Sequence, residues 1–186
     1  MDDLTFINNY FKKYKQSLFE TDVSEELKAM KRILLNSQKN KKKVMIAGNG
    51  GSAAIASHVS VDLTKQAGIR TINFNEVDLI TCFSNDYGYE HWVSKAVEFY
   101  GDEEDVLILI SSSGNSKNMI EAAKIAKQMN ISIITFTGFD RNNPLKKEGE
   151  INFWLESFAY NVVECTHQIW LLMVCDLIIG KTEYSA

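Results

Sequence analysis

"MIAGNGGSAAIASHVSVDL" occupies residues 45–63 and carries the transition on which the fold turns. Met45, Ile46 and Ala47 form a short apolar run, and Gly48, Gly50 and Gly51 follow as a turn that residues without a Cβ make freely. What comes next has the composition of a helix, in which His58 and Asp62 stand four residues apart. That spacing puts them on one face, with Cβ atoms about 6 Å from each other. Two readings are open at this point. The loop grips a phosphate and the helix carries reactive groups, or the turn is merely tight and the His/Asp pair is a surface contact.

The pattern repeats outward along the chain. "VMIAG" (44–48), "RTINF" (70–74), "DVLILI" (105–110) and "ISIITF" (131–136) are short apolar, β-branched runs, with helix-like stretches between most of them. Alternation of this kind predicts a parallel sheet, and runs as continuously apolar as Val106 to Ile110 predict helices on both of its faces. Upstream, Leu4, Ile7, Phe11, Tyr14 and Leu18 recur every three or four residues and paint an apolar stripe that must be buried against something. Leu27, Met30, Ile33 and Leu34 mark a second helix, with Ser24 or Asp22 as its N-cap. "KNKKKV" (39–44) reads as the solvated end of that helix. The one proline, Pro144, falls in the loop-like "GFDRNNPLKKEGE" (138–150), and no linker or repeat interrupts the chain. The expectation is a single α/β domain over 1–186, a three-layer sandwich around a central parallel sheet. Residues 1 to about 38 would form N-terminal helices that build an oligomer.

A chain of 186 residues suffices for one sizeable core. Its net charge of −4 argues against a protein that coats nucleic acid. No uninterrupted apolar run reaches the roughly 20 residues that cross a bilayer, and "MDDLTFINNY" lacks the plan of a secretory signal, so a cytoplasmic protein without membrane contact is expected. Cys82, Cys165 and Cys175 are odd in number and form no CxxC pair, which fits reduced, mostly buried thiols.

Ligands of open parallel sheets bind at the carboxyl ends of the strands, and two loops there are chemically loaded. "GNGGSA" (48–53) lets backbone come close to a ligand, and "SSSGNS" (111–116) sets hydroxyls beside the free N–H groups of the next helix. Neither is a nucleotide P-loop or a GxGxxG dinucleotide loop, so no nucleotide cofactor is expected. A third cluster, Glu164, His167 and Gln168, interrupts the largely apolar "YNVVECTHQIWLLMVCDLII" (160–179). A buried carboxylate there would have to be paired, protonated or metal-bound.

Taken together, "GNGGSA" with His58 and Asp62, "NDYGYE" (85–90), "SSSGNS", and Glu164 and His167 ahead of "CDLI" (175–178) resemble the sugar-isomerase (SIS) proteins. Within them the set is similar to the sedoheptulose 7-phosphate (phosphoheptose) isomerases, over nearly the whole chain. The resemblance implies a homotetramer that converts sedoheptulose 7-phosphate to D-glycero-D-manno-heptose 7-phosphate for surface polysaccharide. It implies a phosphate seat of Ser111, Ser112, Ser113 and Ser116 helped by Ser52, with Asn49, Gly50, Gly51 and Asp86 also at the sugar. Family members bind zinc through a His and a Glu after the glycine loop and a Gln and a His on the last helix. Here His58 matches the first, Asp62 replaces the Glu, Glu164 replaces the Gln, and Leu172 takes the place of the last His. The implied zinc set is therefore His58, Asp62 and Glu164, one ligand short. Aldose–ketose isomerisation moves a proton between C1 and C2 through an enediol, with Asp62 expected as base and Glu164 or His167 as acid. The alternative is a non-catalytic SIS protein that binds a phosphosugar or a protein partner as a regulator.

Overall fold

The computed structural model describes residues 1–184. Helices α1 (Asp3–Phe19) and α2 (Ser24–Lys39) lead into β1 (Val44–Gly48), α3 (Gly51–Lys65), β2 (Thr71–Asn73), α4 (Val77–Tyr87) and α5 (Trp92–Tyr100). Then come β3 (Val106–Ser111), α6 (Lys117–Gln128), β4 (Ser132–Thr137), a 3-10 turn at Leu145–Lys147, β5 (Ile151–Trp154) and α7 (Tyr160–Ile179). The five strands form one sheet in the order β2-β1-β3-β4-β5, and every pairing is parallel.

The expected three layers are present because the strands are apolar on both sides. Val106 to Ile110 are all buried, and their side chains alternate between two cores. Val106, Ile108 and Ile110 join Met30, Leu63 and Leu171 under α2, α3 and α7. Leu107 and Leu109 join Val93, Val97, Met119 and Ala123 under α5 and α6. Burying a Val, Leu or Ile side chain contributes about 1.5–3 kcal/mol, so β3, covered on both faces, anchors the sheet. At its amino end Asp105, fully buried, accepts the N–H groups of Lys43 at 2.9 Å and Asp102 at 2.8 Å and pairs with the Lys43 ammonium at 2.5 Å. That cluster ties the start of β3 to the start of β1.

Several expectations are corrected. β5 was not anticipated, because "INFW" is short and follows the polar "KKEGE". α2 begins at Ser24 after Val23, and the Asp22 carboxylate accepts the Ser24 N–H at 3.0 Å without occupying the cap position. Of the three thiols only Cys175 is buried, where desolvation raises its pKa to about 11; Cys82 and Cys165 are exposed. The α1 stripe is only partly covered within the chain. Tyr14 packs on the α7 side of the core, whereas Leu4, Ile7 and Phe11 are exposed. α7 passes the length and composition of a membrane span, yet one face, Val163, Trp170, Leu171 and Val174 among others, is buried in the core.

Candidate functional site

The chain leaves β1 toward β2 on one side and returns to β3 on the other, so β1 and β3 flank the switch point of the sheet. Their following loops are the glycine and serine loops, side by side at the carboxyl edge where such sheets bind ligands. Backbone geometry explains two glycines. Gly50 has φ 55°, and Gly114, φ 65°, turns the serine loop back over Asn143. A Cβ on Gly114 would collide with the Asn143 carboxamide, which is itself fixed by accepting the Lys146 N–H at 2.9 Å and donating to the Asp140 carbonyl at 2.9 Å. The Gly138 N–H donates to the Ser112 carbonyl at 2.9 Å and pins the loop to the end of β4.

Between the loops lies a pocket of about 150 Å³, lined by Asn49, Ser52, Ser111, Ser112, Ser113, Ser116, Tyr160 and Glu164 over Ile110. It is smaller than the roughly 300 Å³ at which pockets begin to hold a whole drug-sized ligand, so it has room for one end of a ligand. The Ser111 and Ser116 hydroxyls are 3.0 Å apart, and Ser113 Oγ accepts the Asn115 N–H at 3.2 Å. Ser112 Oγ is buried with no hydrogen-bond partner among the described residues. Ser116 is also the N-cap residue of α6, whose first N–H groups add positive partial charge. Hydroxyls and free N–H groups converging in a small polar pocket are suited to a phosphate. Larger grooves border the α1–α2 turn and β5, lined by carboxylates such as Glu20, Asp22 and Glu150, and no expected site residue lies in them.

Seven of the expected residues, Asn49, Ser52, the four loop serines and Glu164, thus come together. Gly51 belongs with them, since a Cβ there would meet the Glu164 carboxylate. Gly50 is exposed and does not line the pocket. The structure does not bring the others to the pocket. Asp86 is exposed on α4, accepting from Asn85 Nδ2 at 2.8 Å. His58 and Asp62 face each other on α3, Nε2 to Oδ2 at 3.3 Å, while Gln168 of α7 donates to His58 Nδ1 at 3.0 Å. An Nδ1 that accepts leaves the proton on Nε2, aimed at Asp62. His167 is fully buried, with Nε2 donating to the Thr137 carbonyl at 3.1 Å and its ring edge-on to Phe136. Desolvation lowers its pKa to about 4, so it is neutral at pH 7. Leu172 packs half-buried against the α7 side of the core.

The zinc set fails its geometric test. Among the described residues no three His, Cys, Asp or Glu side chains gather as a metal would require. Both His58 nitrogens are engaged, by Asp62 and Gln168, and Glu164 lines the serine pocket instead of joining them. The sequence reading also missed Tyr160, which lines the pocket, and Asn118 and Tyr89, which hold Asn49. Asn118 carries one readable signal: a buried amide on the otherwise apolar inner face of α6 beside Met119, Ala122 and Ala123.

A parallel sheet with a glycine loop and a serine loop astride its switch point defines a SIS domain, and residues 9–138 match the SIS domain family. The chain belongs to the phosphoheptose isomerase branch of that family. It is 32% identical over 186 residues to the phosphoheptose isomerase of Helicobacter pylori strain P12, covering 96% of this chain and 95% of the relative. The phosphoheptose isomerase of Proteus mirabilis strain HI4320 is 38% identical over 133 residues, 69% of either chain. Among solved structures, a phosphoheptose isomerase from Francisella tularensis superposes with a TM-score of 0.90 at 27% identity, covering 97% of this chain and all of its own. The Neisseria gonorrhoeae enzyme gives 0.86 at 28% identity over 95% and 98%.

Proposed function

We propose that the protein is an aldose–ketose isomerase acting on sedoheptulose 7-phosphate and yielding D-glycero-D-manno-heptose 7-phosphate. The observation that carries this reading is the serine pocket with the buried, unpartnered Ser112 hydroxyl, in a chain of the phosphoheptose isomerase family. The phosphate sits on the serine loop and the α6 N-terminus, and the carbon chain runs out over Asn49 and Glu164. Isomerisation removes a proton from C1 of the ketose, forms the enediol, and returns a proton to C2 of the aldose. Glu164 is the carboxylate that lines the pocket, so it takes the proton-carrying role in this reading. Asp62, paired with His58, and His167, buried and neutral, are not placed for it. The exposed Leu4, Ile7 and Phe11 of α1 support a homo-oligomer, which we take to be a tetramer, and a cytoplasmic phosphosugar is the partner.

A second reading, a phosphosugar-binding regulator without turnover, is favoured by Leu172 in the place of the family histidine and by the closed His58–Asp62–Gln168 contact. Incubating the purified protein with sedoheptulose 7-phosphate and following it by NMR separates the two. Resonances of the aldose product support the isomerase. Binding by calorimetry with no product, with or without added zinc, supports the regulator.

A further inference from the structure

We propose that Asn118 is a positioning residue for the substrate: it holds the Asn49 carboxamide so that the one N–H left to Asn49 meets an acceptor oxygen on the carbon chain of the sugar phosphate. The inference rests on the functional reading above and deepens it.

The backbone N–H of Met119 lies 3.2 Å from Asn118 Oδ1. A backbone N–H can only donate, so this contact fixes which end of the Asn118 amide is oxygen. Asn118, 2% exposed, then meets Asn49 in a cyclic pair. Asn49 Nδ2 donates to Asn118 Oδ1 at 3.0 Å, and Asn118 Nδ2 donates to Asn49 Oδ1 at 2.9 Å. One amide orientation therefore dictates the other. The Tyr89 hydroxyl donates to Asn49 Oδ1 at 3.2 Å and fills its second lone pair. An ion pair between Glu90 and Lys117, 2.7 Å, ties the Tyr89 segment to the start of α6.

A carboxamide has two acceptor lone pairs and two amide hydrogens. In Asn49 both lone pairs and one hydrogen are spoken for, so the group that lines the pocket offers a single N–H. A ligand hydroxyl acting as donor finds no acceptor there, whereas a carbonyl or enediolate oxygen finds a donor. The phosphate has its own seat on the neighbouring loop, which leaves Asn49 for the carbon chain. The ketose carbonyl is the chain oxygen that gains negative charge as the enediolate forms, and a fixed N–H donor stabilises that charge.

Calorimetry with two probes tests this, inorganic phosphate and sedoheptulose 7-phosphate. Asn118→Leu keeps the side-chain volume and deletes both halves of the pair. Loss of one oriented hydrogen bond should weaken sedoheptulose 7-phosphate binding about tenfold while phosphate binding stays within about threefold. Lys124→Gln, on the exposed face of the same helix, leaves the pair in place and should leave both affinities within about threefold of wild type. Equal weakening of both probes by Asn118→Leu would mean that Asn118 merely supports α6 and would overturn the inference, as would no change in either. If Asn118→Leu does not fold, Asn118→Ala carries the same test. Wild-type protein that binds phosphate but not sedoheptulose 7-phosphate would overturn the functional reading and this inference with it.

Discussion

Replacing Ser112 by Ala should raise the stability of the free protein and lower its affinity for a phosphate, two effects of opposite sign from one atom. The Ser112 hydroxyl is buried without a hydrogen-bond partner among the described residues, on the loop that ends β3. A buried polar group left unpaired costs about 1–3 kcal/mol, and deleting it relieves part of that cost. A gain of about 1 kcal/mol would raise the melting temperature of a domain this size by about 2–4 °C. If in the complex the hydroxyl donates to a phosphate oxygen, as the proposed function requires, that hydrogen bond to a charged group contributes about 1.5–3 kcal/mol. Its loss should weaken binding by about 10- to 150-fold. Scanning calorimetry of the free protein and titration with sedoheptulose 7-phosphate read the two halves separately. A lower melting temperature together with unchanged affinity would refute the reasoning, because Ser112 would then be a structural hydroxyl that the ligand never meets.

Asp105→Ala should destabilise the fold by about 2–6 kcal/mol, since it strips the Lys43 and Asp102 N–H groups of their buried acceptor and leaves the Lys43 ammonium only Asp102; urea denaturation reads this, and phosphate affinity below the transition should be unchanged. His167 has a folded pKa of about 4 against about 6.5 unfolded, so as pH falls through that window the unfolded chain takes up a proton that the folded one does not. Stability should drop by about 3 kcal/mol between pH 6.5 and 4, and His167→Phe should flatten that part of the denaturation profile relative to wild type. Equilibrium dialysis against zinc followed by elemental analysis should find less than one zinc per chain; one zinc per chain that disappears in His58→Ala would mean that the three expected ligands rearrange into a site.

The parts of the fold that could be read from the sequence are those whose cause is local. Val106 to Ile110 announce a strand covered on both faces because every residue is apolar, and the structure buries all of them. The serine loop was readable for the same reason, since six contiguous residues fix both the hydroxyls and the cap of α6. β5 was not, because an edge strand of four residues gains its identity from Phe153 stacking on Phe136, a contact that no window of sequence contains. The clustering of His58, Asp62 and Glu164 failed for a related reason. Spacing along α3 correctly put His58 beside Asp62, but which turn of α7 faces them is set by packing, and that turn carries Gln168. Spacing along α7 could not distinguish Glu164, which lines the pocket, from His167, which points into the core against Phe136. Asn118 was missed because its partner, Asn49, is 69 residues away.

Leu172 is where two parts of the site separate, the phosphate seat and the His58–Asp62 pair. The phosphate seat draws on one loop and one helix end, and Leu172 does not line it. The His58–Asp62 pair draws on α3, with α7 supplying Gln168. Leu172 is one turn beyond Gln168 on the same face of α7, and side chains four apart on a helix have Cβ atoms about 6 Å from each other. Leu172→His would therefore set a second imidazole beside a histidine and a carboxylate already in contact, giving the mixed nitrogen and oxygen donor set that zinc accepts. Leu172 is half-buried against the core, so the change should cost about 1–2 kcal/mol of stability, which thermal denaturation reads. The expected gain is one zinc per chain after loading and desalting, lost again in the double variant Leu172→His with His58→Ala. Phosphate affinity should stay at the wild-type value throughout. A Leu172→His protein that folds and retains no zinc would show that α7 does not present residue 172 to His58, and the separation of the two parts at that position would have to be abandoned.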